Sequence, residues 1–295
     1  MNMCEVRTED VSFFGAAGAS VSGRLYLPPA GQNHRIGIVM CHGFGGVKEG
    51  VLPGLATLLA GAGYTALTFD FRGFGGTGGQ VGRLVPDEQV EDTVHALEYL
   101  AGSGRVDPEQ VGLYGTSFGG GVAALAAAYS DRPKALAVSV PVTSGSGWLK
   151  SMTRYYEFRD LKAKAMAAIR EKTATGTIAM VDRFDIMIPD PLSLERYTQK
   201  IPMAMETFYH VSHHEPIARA ADIAVPTLMF GVKTDQLVPV SQTIDFYERL
   251  TVEKALDLSD YGTHWAVYDE LLPVVSTKAI AWYDRHLRGA AHVDR

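Results

Sequence analysis

The sequence predicts an α/β fold in which a mostly parallel sheet carries helices on both faces and is interrupted by one helical insertion. Three observations carry that prediction. Continuous apolar runs at 36–41, 64–69, 111–115 and 135–140 end in glycine or polar residues, without the alternation of a half-exposed strand. Helical spacing lies between them, with Leu52, Leu55, Leu59 and Ala62 in one segment and Val90, Val94, Leu97 and Ala101 in the next. The strand-helix rhythm then breaks over 143–222 and resumes with a run at 227–232.

Taken in order, 5–27 alternates in Val-Ser-Phe-Phe and again in Val-Ser-Gly-Arg-Leu-Tyr-Leu. It predicts an antiparallel pair closed by Pro28-Pro29. Asp87, after Pro86, is expected to cap the second helix. An Ala-rich helix is expected over 120–129, a helix over 241–250, a last short strand over 254–258 and a helix at the C-terminal end. The domain organisation follows: 1–142 and 223–295 form the core, and 143–222, with a helical segment at 160–172, forms a cap or lid over it.

With 295 residues, 46% of them hydrophobic, the chain is long enough to bury a sizeable core. A net charge of −6 and the lack of a Lys/Arg block exclude a nucleic-acid surface, which needs clustered positive charge to displace counterions. Cys4 and Cys41 lie in unlike contexts, so no disulfide framework is expected. The N-terminal stretch lacks an apolar leader, and no run reaches the roughly 18 apolar residues of a membrane span. The expectation is a cytoplasmic protein that acts on a small molecule, without membrane association, cofactor or metal; homodimer formation is left open.

The chemistry concentrates in Gly115-Thr-Ser117-Phe-Gly119, which follows an apolar strand and precedes the Ala-rich helix. A serine on so sharp a turn needs neighbours without side chains, so that strand and helix can approach each other. The hydroxyl is a poor nucleophile alone and requires a base and an orienting carboxylate later in the chain. His264, in Tyr-Gly-Thr-His-Trp after the last strand, is the expected general base. Asp235, just past the run at 226–232, is the expected orienter, with Asp257 and Asp260 as competitors nearer in sequence. The backbone amides of Phe44, in Cys41-His-Gly-Phe-Gly-Gly, and of Phe118 are the expected oxyanion hole. His42 is expected to support that loop.

Through His42-Gly-Phe-Gly-Gly, Asp70-Phe-Arg-Gly-Phe-Gly-Gly, Gly115-Thr-Ser-Phe-Gly, the Asp235 turn and the His264 loop, the chain resembles the α/β-hydrolase superfamily over nearly its whole length. The N-terminal strand pair and the mid-chain insertion are similar to the dienelactone-hydrolase and X-prolyl-peptidase-like branch, which includes esterases and polyketide acyltransferases. The resemblance implies an eight-stranded, mostly parallel sheet, a Ser-His-Asp triad and a lid inserted after the sixth strand.

Other features weigh less. His210 and His214 are spaced as metal ligands on one helical face, but no His-Glu-x-x-His pattern accompanies them. The glycine-rich turn after Asp70 lacks a Walker lysine and reads as structural. Trp148, Tyr155, Tyr156, Met180, Phe184, Met187, Phe208 and Tyr209 are expected to fill the lid core and part of an apolar acyl pocket. The resulting expectation is a serine hydrolase that cleaves a carboxylic ester or related acyl bond through an acyl-enzyme. The alternatives are acyl transfer from the same intermediate, carbon-carbon bond hydrolysis, and a non-catalytic binder.

Overall fold

A computed structural model of the chain describes residues 5–288. Its N-terminal hairpin pairs β1 (Arg7–Phe14) with β2 (Ser20–Leu27) in antiparallel register, Arg7 opposite Leu27. The core then runs β3 (Ile36–Cys41), α1 (Pro53–Gly61), β4 (Tyr64–Phe69), α2 (Pro86–Gly102), β5 (Val111–Thr116), α3 (Phe118–Tyr129) and β6 (Leu136–Ser139). After the insertion come β9 (Thr227–Val232), α8 (Ser241–Arg249), β10 (Lys254–Ser259) and α9 (Leu272–Tyr283); the intervening labels belong to the insertion.

These strands form one eight-stranded sheet in the order β1-β2-β4-β3-β5-β6-β9-β10. The pairs from β4 to β10 are parallel, and only the β1-β2 and β2-β4 pairs are antiparallel. The sequence-predicted parallel α/β architecture is thus observed. Alternate residues of β3 serve opposite faces. Val39 and Cys41 pack with Leu97 of α2 and Val122 of α3, whereas Ile38 and Met40 pack with Leu55 of α1 and Val275 of α9. The apolar runs do not alternate because both faces of the sheet are covered.

Strand order reverses beside β3: the chain steps outward to β4 and then returns to the other side of β3 with β5. In such sheets the carboxyl ends of the strands at the reversal diverge and leave a crevice. Gly43 and Phe44 follow β3, and Ser117 follows β5, so both reach that crevice.

The insertion contributes α4 (Gly145–Ser151), α5 (Tyr155–Thr175), α6 (Pro191–Arg196) and α7 (Thr207–Val211). It also carries a two-stranded antiparallel ribbon of β7 (Met180–Asp182) and β8 (Pro202–Ala204). α5 extends beyond the expected 160–172, because Glu157 accepts from the Arg154 amide at its start and Gly176 ends it at φ 77°. Polar ties hold the insertion to the core. Glu206 accepts from Arg83 of the core at 3.0 Å, and the Trp148 indole donates to the Leu237 carbonyl at 2.9 Å; within the insertion, Lys172 donates to the same Glu206 at 2.7 Å.

Several expectations need correction. Asp87 does not cap α2: Val85 stands at the cap, Pro86 is the first helical residue with its φ preset, and Asp87 lies two positions inside the cap, where its charge faces the positive helix end. Tyr155, Tyr156 and Met180 are 78%, 61% and 42% exposed and fill neither the insertion's core nor the cavity at Ser117, whereas Trp148 and Phe208 are buried. Only Ala165 and Ala168 of α5 are buried, so most of that helix faces solvent. Among the described residues no helix is long and apolar enough to cross a membrane. Cys41 is a buried free thiol whose pKa burial pushes up to about 12, while Cys4 lies outside the described residues.

Candidate active site

Ser117 joins β5 to α3 at φ 54° and ψ −127°, a conformation that costs a non-glycine residue of order 1–3 kcal/mol. The surroundings hold it there: its N–H donates to the Ser139 carbonyl at 2.9 Å, and its carbonyl accepts from Gly120 and Val142, each at 2.9 Å. The flanking glycines are steric requirements. A Cβ on Gly119 would stand 2.2 Å from the His42 carbonyl oxygen, and one on Gly115 would stand 2.4 Å from the Gly119 carbonyl oxygen.

The turn presents Ser117 Oγ at 3.1 Å from His264 Nε2, and His264 Nδ1 lies 2.7 Å from Asp235 Oδ2. Asp235 Oδ1 accepts from the amides of Leu237 and Val238 at 2.8 and 2.9 Å, which fixes the carboxylate plane. His264 opens a short 3₁₀ turn capped by Thr263. Serine, histidine and this aspartate are brought together from three separate strand ends. The competing carboxylates point elsewhere, Asp257 to Lys278 and Asp260 to Lys233.

Phe44 and Phe118 flank the serine on the remaining side. Among the described residues neither backbone N–H donates to another group, and that of Phe118 is the first of α3, at the positive end of the helix. Their rings pack edge to face at 5.6 Å, with Trp148 against both. His42 sits beneath this loop and donates from Nδ1 to the Gly43 carbonyl at 3.0 Å; burial lowers its pKa. The turn after Asp70 is likewise structural. Buried Asp70 accepts from Lys48 N at 2.7 Å, Lys48 Nζ at 2.8 Å and Gly76 N at 2.9 Å, tying the loop after β3 to the loop after β4.

The helical face that would give His210 and His214 ligand spacing is not formed, because α7 ends at Val211 and His214 lies beyond it. His214 packs at a tilt against Phe118, ring centres 4.9 Å apart, and among the described residues both of its ring nitrogens are buried without a partner. Burial pulls its pKa from 6.5 down to about 3. The folded chain therefore keeps His214 neutral where the unfolded chain takes up a proton, so stability falls as pH drops from about 6.5 towards 3. At pH 5 this group should have removed on the order of 2 kcal/mol. Urea titrations between pH 7 and pH 5 should show a shallower loss of stability in His214→Gln than in the parent; parallel slopes would refute the assignment.

A cavity of about 290 Å³ opens onto Ser117 and His264. The core lines it with Phe44, Phe74, Leu237 and Trp265, and the insertion with Arg183, Met187 and Tyr197. Of the insertion's residues singled out from sequence, Met187 reaches this wall. Arg183 and Tyr197 went unnoticed, because no periodicity or motif marks a single arginine after a short strand.

The strand order, the serine on its strand-helix turn and the histidine after the last strand together define an α/β-hydrolase. Residues 32–270 match the family model described as serine aminopeptidase, S33, and the chain belongs to that family. The acyltransferase drtE of Aspergillus calidoustus is 32% identical over an alignment of 310 positions, covering 97% of this chain and 98% of that one. The thiohydrolase aneE of Aspergillus aculeatus is 25% identical over 275 residues, 86% of each chain. Among solved structures, the α/β-hydrolase GrgF from Penicillium sp. sh18 matches with a TM-score of 0.83 at 20% identity, over 96% of this chain and 99% of that one. At that identity the likeness is one of fold.

Proposed function

We propose that the protein is a serine hydrolase that cleaves the acyl bond of a small-molecule ester or thioester, with Ser117, His264 and Asp235 as its triad. The observation that carries this reading is the unbroken hydrogen-bonded chain from Ser117 Oγ through His264 to Asp235, opening onto a largely apolar cavity. Ser117 Oγ attacks the carbonyl carbon while His264 Nε2 takes its proton, and the resulting oxyanion lies towards the Phe44 and Phe118 amides. His264 then returns the proton to the departing oxygen or sulfur, leaving the acyl group on Ser117. Water, deprotonated by His264, releases the acid and restores the serine. Both half-reactions use His264 Nε2 as the proton carrier.

A second reading, acyl transfer to an alcohol or amine in place of water, is favoured by the similarity to an acyltransferase over nearly the full chain. Both readings share the acyl-enzyme and diverge only in the second half-reaction. A fluorophosphonate probe should label Ser117, identified by mass spectrometry of the modified peptide, and should leave Ser117→Ala unlabelled. Absence of labelling in folded protein would defeat both readings. The partition of products between acid and transferred acyl group in the presence of added alcohols or amines then decides between them.

A further inference from the structure

The cavity beside Ser117 holds one charged group that the reaction above does not use. Arg183, in the turn after β7, is only 3% exposed, yet among the described residues its Nε and Nη2 are buried without a hydrogen-bond partner. The other deeply placed cations behave differently: Lys48 meets Asp70 at 2.8 Å and Arg72 meets Asp92 at 2.6 Å. Asp182, next to Arg183 in the chain, directs its Oδ1 to the Phe184 amide at 2.9 Å instead. The guanidinium is held between aromatic faces, its Cζ 4.0 Å from the Tyr197 ring centre and 4.7 Å from that of Phe184. Its stem lies against Gly45, next to Phe44, where an added Cβ would stand 3.1 Å from Arg183 Cδ.

Burying a guanidinium without a hydrogen-bonded carboxylate is costly, and cation-π contacts offset only part of that cost. The burial disfavours the charged form and lowers the pKa of the group, with Tyr197 and Asp182 opposing the shift. A guanidinium fixed by aromatic packing in the wall of this cavity, with donors left unsatisfied, matches the oxygens of a carboxylate or phosphate. We propose that Arg183 binds an oxyanion carried by the substrate, so that the protein selects anionic acyl compounds over neutral ones. The acyl part of this statement rests on the hydrolase reading; the anion site does not.

Calorimetry on Ser117→Ala, which cannot turn over, tests the site directly with hexanoate, hexyl phosphate and hexanol. At least one of the two anions should bind tenfold or more tightly than hexanol, and whichever binds better separates carboxylate from phosphate recognition. Adding Arg183→Gln should remove that preference, and Arg183→Lys should restore part of it, with thermal melts verifying that each variant is folded. Kinetics on the intact triad supply the second readout. The ratio of kcat/KM for mono-para-nitrophenyl glutarate over para-nitrophenyl valerate, or for acetoxybenzoate over phenyl acetate, should fall tenfold or more in Arg183→Gln. A purely structural arginine would depress both members of each pair alike. Equal binding of hexanol and both anions, or an anion preference untouched in Arg183→Gln, overturns the proposal. Arg183-dependent anion binding in a protein that neither labels nor turns over esters would overturn the hydrolase reading and leave the anion site standing.

Discussion

Replacement of Ser117 by alanine is expected to lower turnover of any accepted ester by about 10⁴- to 10⁶-fold, because a triad works as a unit and its members' contributions do not add. At about 1.4 kcal/mol per decade, this is roughly 5–8 kcal/mol of transition-state stabilisation lost with one oxygen atom. The fold should not change. Alanine keeps the Cβ, so the strained φ of 54° and the hydrogen bonds of the turn to Ser139, Gly120 and Val142 are retained. A residue chosen for stability at this φ would be glycine, and a side chain held there at a conformational cost points to work for its Oγ. Stopped assays on purified protein, with circular dichroism showing an unaltered fold, measure the effect. Undiminished turnover in a pure variant would remove Ser117 from the mechanism.

What could be read from the sequence is what local physics dictates. Runs such as 36–41 and 64–69 were legible because strands covered on both faces must be apolar throughout. The turn at Ser117 was legible because Gly115 and Gly119 leave no room for a Cβ. Asp235 stands ahead of Asp257 and Asp260 by its place past the 226–232 run together with the Val-Pro turn that follows it. What was not legible depends on partners distant in sequence. Arg183 acquires its meaning only from Gly45 on the opposite loop and from Tyr197 across the cavity. His210 and His214 suggest a helical face, but the helix stops between them, and Tyr155 and Tyr156 look like core residues yet lie on the outer side of α5. In the insertion, aromatic content specifies apolar surface without specifying which element covers it.

Asp235→Asn is expected to lower kcat by about 10⁴-fold while the protein stays folded, and the hydrogen bonds at this position show why. Asp235 Oδ1 is the acceptor for two backbone amides, Leu237 and Val238, so the asparagine carbonyl oxygen must take that place. Its NH₂ group is then turned towards His264 Nδ1, where Oδ2 now accepts at 2.7 Å. A donor there forces the proton of the imidazole onto Nε2. That nitrogen, 3.1 Å from Ser117 Oγ, can then only donate to the serine and can no longer take its proton. The loss should therefore appear both in turnover and in the rate of fluorophosphonate labelling, with little change in melting temperature. Asp257→Asn and Asp260→Asn serve as the contrast: each carboxylate is paired with a surface-side lysine, Lys278 or Lys233, and turnover should change by no more than about threefold. If Asp260→Asn or Asp257→Asn matched the loss in Asp235→Asn, the orienting carboxylate would be misassigned, and the order of the three strand ends around Ser117 would have to be reconsidered.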